Sequence, residues 1–149
     1  MRALASAGAG FLLAVLWFDL MFDVQARGHR ATELPDDVLA SIAGYYARVT
    51  TAARPMNRLV ALAMLVTLGA LIAELFDDEL PVWRAAASLA LTFAAIALAA
   101  AHTVPSAVRL GARHDDTLTQ SRMARSILRD HLFCVAGIVT VLLLQLLPA

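Results

Sequence analysis

The sequence contains no lysine and a single cysteine, and charged residues make up only 16% of it. One cysteine, Cys134, excludes an intramolecular disulfide and a thiolate metal cluster. The twelve basic residues, all arginines, balance twelve acidic ones and are not interleaved with aromatic residues, which argues against a nucleic-acid-binding surface. Glycine-rich phosphate loops, nucleophile elbows and haem-attachment motifs are also missing from the sequence. The sequence therefore identifies no cofactor.

Long hydrophobic runs dominate the chain. Hydrophobic residues make up 60% of it and the mean hydropathy is +0.72, whereas soluble domains have about 45–50% apolar residues. A helix of about 20 apolar residues crosses a bilayer core, and four stretches approach that length: residues 4–24, 56–76, 82–104 and 131–147. Pro55 opens the second span, Pro81 precedes the third and Pro105 is predicted to end it. We therefore predict one all-α domain over 1–149, an integral membrane antiparallel four-helix bundle.

The arginines indicate the orientation of these spans. Ten of the twelve lie in or beside the loops 25–55 and 105–130, and only Arg2 and Arg84 lie on the other side. Because basic residues concentrate in cytoplasmic loops, we predict that both loops are cytoplasmic and that both termini are outside. The absence of lysine and the many alanines are typical of a GC-rich bacterial genome. The predicted location is the bacterial cytoplasmic (inner) membrane.

Both cytoplasmic loops are predicted to contain helix. In the first loop, apolar residues recur at helical spacing, which indicates an amphipathic helix at the cytoplasmic interface. These residues are Val38, Ile42, Tyr45, Tyr46 and Val49. A second helix is predicted to begin after Asp116 and to continue into the fourth span. It places Arg122, Arg125 and Arg129 on one face, which either contacts anionic lipid headgroups or is a solvated surface that sets the topology.

Two carboxylates interrupt the end of the first span, in the stretch WFDLMFDVQ. Asp19 and Asp23 are four residues apart and therefore share a helix face. An ionised group within a span costs about 2.5–3.5 kcal/mol on translocon scales, so it normally faces the bundle and has a partner. The topology brings four more polar residues to this depth: Asn57, Arg58, His102 and His131. We predict that the six line a polar ligand-binding pocket that opens toward the cytoplasm. Asp19 is expected to matter more than Asp23, because it lies one turn deeper.

Three roles are open for this constellation. In the first, Arg58 or Arg54 pairs with the carboxylates and the pairs are structural. In the second, the pocket relays protons or binds a substrate, with His102 titrating near neutral pH. The third is a metal site of two aspartates and two imidazoles. No helix carries the close Glu-x-x-His spacing of strong metal motifs, and Arg58 would repel a dication, so we predict that no metal binds.

Two further stretches carry a resemblance to a known family. The first cytoplasmic loop ends in ARPMNRL, and the third span ends in AHTVPSAVRLGA before a polar helix that leads into the fourth. This layout resembles the anthrone-oxygenase-like family of small four-helix membrane proteins. That family often ends its third span in an Asn-x-Pro pattern, where this chain has His102 and Pro105. The resemblance implies a pocket among the helices for a planar aromatic substrate, and oxygenation without an assigned cofactor.

Small residues recur along the third span at spacings of three and four: Ala86, Ala90, Ala94, Ala97 and Ala101. Such a stripe lets helix backbones approach closely, so we predict that this helix packs tightly against its neighbours. A homo-oligomer, or a second membrane protein held by the same face, is also compatible with the stripe.

The predicted function is the binding of a small or amphiphilic ligand in the cytoplasmic pocket. In an enzyme, for example an oxidoreductase acting on an aromatic substrate, Asp19 or Asp23 would act as base, Arg58 would stabilise an oxyanion and His102 would transfer a proton. In a proton- or cation-coupled transporter the same carboxylates would hold the ion, although we find no inverted repeat. The third hypothesis is a structural or assembly partner. The predicted partners are the lipid bilayer with its anionic lipids and a small molecule, and not nucleic acid.

Overall fold

The computed structural model describes residues 1–77 and 80–147, and every regular element in those ranges is helical. The α-helices are α1 (Arg2–Asp23), α2 (Asp36–Tyr46), α3 (Arg54–Glu74), α4 (Val82–Leu98), α5 (Val104–Ala112) and α6 (Thr117–Leu146). Short helical turns extend them: a 3₁₀ turn over Val24–Gly28 and π-helical turns over Ala47–Ala52 and Ala99–Thr103. The predicted all-α class is confirmed.

Four continuous helical segments are long and apolar enough to cross a membrane. They are Arg2–Gly28, Pro55–Glu74, Val82–Ala112 and Thr117–Leu146. Large apolar side chains on these segments point outward, among them Trp17, Leu65 and Phe93, each more than 60% exposed. Hydrocarbon accepts such a surface far better than water does. The number of spans and their apolar character agree with the sequence prediction and fit a multi-pass membrane protein.

The prediction that Pro105 ends the third span is wrong. The helical segment continues through Pro105 to Ala112, where Arg113 adopts a left-handed conformation with φ of 53°. A proline inside a helix lacks an N–H donor, and its ring crowds the carbonyl four residues earlier. Here the π-helical turn directly precedes it, and the wider i→i+5 pattern of such a turn shifts that carbonyl. Part of the predicted loop 105–130 is therefore helix α5.

Helix α2 forms where the amphipathic pattern predicts it, and its apolar face is buried against the rest of the protein. Leu39, Ile42 and Tyr46 are almost fully buried in one core cluster. The cluster also contains Leu110 of α5 and Ile127 of α6. Because α5 prolongs the third span, it offers α2 a protein surface to cover, and burial there replaces contact with lipid. Helix α2 is therefore part of the packed protein.

Helix α6 begins after Asp116, as predicted, because the Asp116 side chain accepts a hydrogen bond from the Thr119 backbone N–H at 2.9 Å. Further along, α6 packs against α1 and α4 in a second cluster. This cluster is formed by apolar residues: Ala9, Ala95, Cys134, Ile138 and Val141. The middle of the protein is therefore an apolar core.

The alanine stripe of the third span does not make the predicted contacts within the bundle. All five of its members, Ala86, Ala90, Ala94, Ala97 and Ala101, are exposed. The buried face of α4 instead carries Ser88, Thr92 and Ala95. These side chains are also short, and the hydroxyls of the first two are buried, so this face meets α6 while the alanine face points outward.

Helix α5 packs against the turn after α2 through Gly111. A Cβ atom at this position would lie 2.8 Å from the backbone nitrogen of Ala47. Since backbone cannot rotate away as a side chain does, we expect Gly111→Ala to lower the free energy of unfolding by about 1–3 kcal/mol. Thermal unfolding of the purified protein in detergent measures the change.

Gly44 provides the matched control, because it lies inside α2 and a Cβ atom there would meet nothing within 4 Å. Gly44→Ala should be neutral or raise the free energy of unfolding by up to about 1 kcal/mol, through the better helix propensity of alanine. Equal effects of the two substitutions would mean that α5 does not approach the α2 turn this closely.

Candidate functional site

Asp23 is the most enclosed charged residue at the end of the protein where α2 packs. It is the last residue of α1 and its side chain is 0% exposed. The Tyr46 hydroxyl donates to Asp23 Oδ1 at 2.6 Å, and His131 Nδ1 donates to Asp23 Oδ2 at 2.6 Å. The carboxylate thus joins three helices, since Tyr46 belongs to α2 and His131 to α6.

Asp19 extends this network by one helical turn. The Tyr45 hydroxyl donates to Asp19 Oδ1 at 2.7 Å, and His131 Nε2 lies 3.8 Å from Asp19 Oδ2. The imidazole of His131 therefore lies between two carboxylates. Phe22 stacks on the ring of Tyr45 with a centroid distance of 4.1 Å. We call Asp19, Asp23, Tyr45, Tyr46 and His131 the aspartate–histidine cluster.

The two aspartates differ in burial, and the order is opposite to the predicted one. Asp19 is 16% exposed and forms one short hydrogen bond, whereas Asp23 is fully buried and forms two. A deeper position along the span does not make Asp19 the more enclosed residue, because α2 covers the end of α1 and shields Asp23. Asp23 is therefore the residue on which more contacts depend.

The tyrosines are held as hydrogen-bond donors. Removal from water raises the pKa of the Tyr45 hydroxyl well above its usual value, and its hydrogen bond to Asp19 raises it further. Burial likewise raises the pKa of Tyr46, with the negative charge of Asp23 as the next cause. Both hydroxyls stay protonated over the physiological range and donate to the carboxylates. The sequence analysis assigned these tyrosines to an apolar helix face and missed this role.

The other predicted site residues lie elsewhere. His102 is 47% exposed, and its Nδ1 lies 2.6 Å from Asp130 Oδ2. Asn57 is exposed and donates to the backbone oxygen of Thr50 at 2.9 Å. Arg58 is exposed on α3. Of the six predicted pocket residues, the structure brings together only Asp19, Asp23 and His131.

Of the three open roles, the structural pairing with Arg58 is not what the structure has: within the described part of the chain, tyrosine hydroxyls and His131 are the partners of the two carboxylates. The side chain of Arg54 lies outside the described residues. Among the residues described, no group of three or more His, Cys, Asp or Glu side chains has a metal-binding arrangement. His102 in particular is paired with Asp130 and not with the first-span aspartates.

A basic cleft lies next to the aspartate–histidine cluster. It has a volume of about 500 Å³ and is lined by Ala26, Arg27, His29, Arg122, Arg125, Leu128 and Arg129. We call it the arginine cleft. Ala26 and Arg27 follow Asp23 by three and four residues, and Leu128 precedes His131 by three. The cleft therefore lies about one helical turn beyond the cluster, along the 3₁₀ turn that extends α1 and along α6.

The arginines that line the cleft differ in their contacts. Arg125 donates to the backbone oxygens of Ala31 and Thr32 and so fastens the segment before α2 to α6. Arg27, Arg122 and Arg129 are exposed, and no acidic side chain lines the cleft among the described residues. The predicted arginine face of α6 is thus one wall of a preformed cation-rich hollow.

None of the protein-family models, curated proteins or solved structures matches this chain. The resemblance to the anthrone-oxygenase-like family stays a prediction.

The tyrosines provide a direct probe of the cluster, since Tyr45 and Tyr46 are the only two in the sequence. An ordinary tyrosine ionises near pH 10, and both pKa values are raised in the folded protein. Above pH 10 the unfolded chain therefore loses protons that the folded chain keeps. We expect the stabilisation that these two protonated hydroxyls provide to be fully present below pH 10 and to be lost as the pH rises further. Absorbance of tyrosinate should appear only on unfolding.

Two substitutions show whether the tyrosinate absorbance depends on the contact between Tyr46 and Asp23. Tyr45→Phe leaves Tyr46 as the single reporter, and in that background Asp23→Asn should bring tyrosinate formation to lower pH by removing a neighbouring negative charge. At neutral pH we expect Asp23→Asn to cost about 1–3 kcal/mol and Asp19→Asn less. Tyrosinate absorbance near pH 10 in the folded protein would contradict the buried hydrogen bonds.

Proposed function

We propose that this chain is a multi-pass protein of the bacterial cytoplasmic membrane, an antiparallel four-helix bundle with both termini outside. We further propose that it binds an anionic amphiphile in the arginine cleft at its cytoplasmic end. The observation that carries the proposal is the cleft itself: four arginines surround one hollow, and among the described residues no carboxylate lines it.

Membrane insertion is supported by the four apolar segments and by their outward-facing side chains. Each segment has at least the 20 residues that a bilayer crossing needs. The orientation is supported by the arginines. Ten of the twelve lie at or beyond the end of the bundle that carries α2, whereas Arg2 and Arg84 lie at the other end, where they donate to backbone oxygens of Leu144, Gln145 and Leu147.

The chemistry of the cleft favours an anionic headgroup. A guanidinium presents parallel N–H donors that fit phosphate or carboxylate oxygens in pairs. Arg27, Arg122 and Arg129 are exposed around the hollow, while Ala26 and Leu128 contribute apolar surface to it. A basic rim beside two apolar side chains suits a ligand that carries a charged group on a hydrophobic body. This combination favours an amphiphile over a free inorganic anion.

The aspartate–histidine cluster holds together the helices beside the arginine cleft. Its hydrogen bonds attach α2 to α1 and α6, and the segment between α1 and α2 forms one wall of the cleft through His29. His131 is only 7% exposed. The cluster therefore acts on the ligand through the shape of the cleft, as a positioning element.

Proton-coupled transport is the second candidate, because His131 between two carboxylates is a suitable proton-binding group. Against it, the core beyond the cluster is apolar, with Ile138 and Val141 of α6 packed against Ala9 and Ala95. The enzymatic hypothesis with Arg58 and His102 as catalytic residues has less support, since both are exposed and His102 is paired with Asp130.

The proposed orientation predicts the behaviour of reporter fusions. Alkaline phosphatase fused after residue 149 should be active, because that enzyme folds only outside the cytoplasm, whereas green fluorescent protein at the same position should be dark. A fusion inserted in the 29–34 segment should show the reverse pattern. A fluorescent C-terminal fusion would contradict the orientation and place the arginine cleft on the outer side.

The proposed ligand class predicts selective binding of acidic lipid. We expect short-chain phosphatidylglycerol, titrated into the protein in a neutral detergent, to raise the Tm more than phosphatidylcholine of the same chain length. Arg122→Gln and Arg129→Gln should each weaken this effect about fivefold, because one arginine contributes about 1 kcal/mol beside an acidic headgroup. Higher ionic strength should weaken it too.

Arg48→Gln is the matched control. Arg48 is exposed at the same end of the protein and does not line the cleft. Its substitution removes the same charge and should leave the affinity unchanged. If Arg48→Gln and Arg122→Gln lost the same lipid affinity, the effect would come from the net charge of this end of the protein and not from the cleft. Equal binding of inorganic phosphate and phosphatidylglycerol would contradict an amphiphilic ligand.

A further inference from the structure

A second group of polar side chains is buried at the opposite end of the protein. Glu74 ends α3 and is 3% exposed, and Gln145 of α6 and Ser88 of α4 are fully buried. Gln145 Nε2 donates to Glu74 Oε2 at 2.8 Å and lies 3.4 Å from Ser88 Oγ. We call these three residues, with the buried Thr92 one turn further along α4, the outer polar cluster. None of them belongs to the cleft proposed above.

The cluster has more acceptors than donors. Among the described residues, the buried oxygens Glu74 Oε1 and Gln145 Oε1 have no hydrogen-bond partner, and neither has Thr92 Oγ1. A buried carboxylate whose second oxygen is unsatisfied costs several kcal/mol in apolar surroundings. The two orphan oxygens belong to the very residues that already share one hydrogen bond.

The charged groups around Glu74 are engaged with other partners. Arg84 of α4 donates to the backbone oxygens of Leu144 and Leu147, and Arg2 of α1 donates to backbone oxygens of the same α6 end. The amino group of Met1 lies 3.7 Å from a carboxylate oxygen of Asp77. Within the described ranges, α6 brings no charged side chain to the cluster, only the amide of Gln145.

We propose that the outer polar cluster binds one monovalent cation between Glu74 Oε1 and Gln145 Oε1. The bound charge is a proton or an alkali-metal ion. As a proton it makes Glu74 an acid whose O–H donates to Gln145 Oε1, so that one proton satisfies both orphan oxygens in a closed acid–amide pair. As a metal ion it takes both oxygens as ligands, and carboxylate and amide oxygens are hard donors that such ions prefer.

The charge balance of the cluster selects a monovalent ion. Glu74 supplies a single negative charge to the outer polar cluster, whose other members are neutral amide and hydroxyl side chains. A dication would leave excess positive charge buried, whereas a monovalent cation makes the site neutral. A bound cation would tie α3 to α6 beside α4, so it stabilises the outer end of the bundle.

The test measures Tm in detergent for the wild type, Glu74→Gln and the control Glu33→Gln. Glu33 is an exposed glutamate in the segment before α2. One series replaces choline by sodium at constant ionic strength, and the other varies pH without sodium. We expect the cation to raise the Tm of the wild type and of Glu33→Gln by about 4 °C or more at saturation. Glu74→Gln should lack this rise, because its amide donates permanently to Gln145 Oε1.

The sodium series and the pH series distinguish an alkali-metal ion from a proton as the bound cation. A sodium-dependent rise that Glu74→Gln abolishes identifies an alkali-metal site, and a rise on acidification alone that it abolishes identifies a proton site. Identical sodium and pH dependence in the wild type and Glu74→Gln overturns the proposal and leaves a bridging water as the partner of the two oxygens. Lipid binding in the arginine cleft is measured separately, so its failure would not be confused with this one.

A measurement on the wild type covers the case in which Glu74→Gln does not fold. The sequence contains only three glutamates, so ¹³C-glutamate labelling isolates their infrared bands. A labelled protonated-carboxyl band at neutral pH without sodium supports a bound proton, and its conversion to a carboxylate band on adding sodium supports a shared site for both cations. The absence of a labelled protonated-carboxyl band at neutral pH without sodium, together with a labelled carboxylate band that sodium does not shift, overturns both forms.

Discussion

The carboxylate of Asp23 is the group on which one end of this protein depends. A fully buried charge is tolerated only when strong hydrogen bonds replace its water, and Tyr46 and His131 provide two of 2.6 Å. Both donors come from other helices, so α2 and α6 must dock on α1 at one register to bring them there. The docking of α2 in turn needs the surface of α5, which exists because the π-helical turn carries the third span past Pro105.

Among the described residues, the charged side chains of the long helices lie toward the two ends of the bundle. His131 and Gln145 are 14 residues apart on α6, a rise of about 21 Å. Between them α6 contributes Ile138 and Val141 to an apolar core. The proposed membrane location accounts for this division, since polar side chains cost least near the interfaces and most at the centre. Each end therefore holds its own network, and each network joins α6 to a different partner helix.

The sequence predicted the spans better than the site, for a physical reason. Hydropathy and helix length report the surroundings of a whole segment, and the shared face of Asp19 and Asp23 follows from helix geometry alone. Which neighbours meet that face depends on the rotation of the other helices. His102 lies inside the π-helical turn, where the extra residue changes the phase of the side chains, so counting 3.6 residues per turn does not place it. Tyr45 and Tyr46 were missed because their contacts exist only after α2 has docked.

The arginines show how one pattern supports several roles that only tertiary structure separates. Arg122, Arg125 and Arg129 have the same spacing and the same expected exposure in sequence. Arg125 became a fastening residue because the carbonyls of Ala31 and Thr32 come within its reach, and those carbonyls are presented only when α2 is held by Asp23. Arg122 and Arg129 are exposed instead and line the cleft. In the proposed topology, the charges that orient a helix also line the proposed binding site, because the loop docked beside them encloses the space that they border.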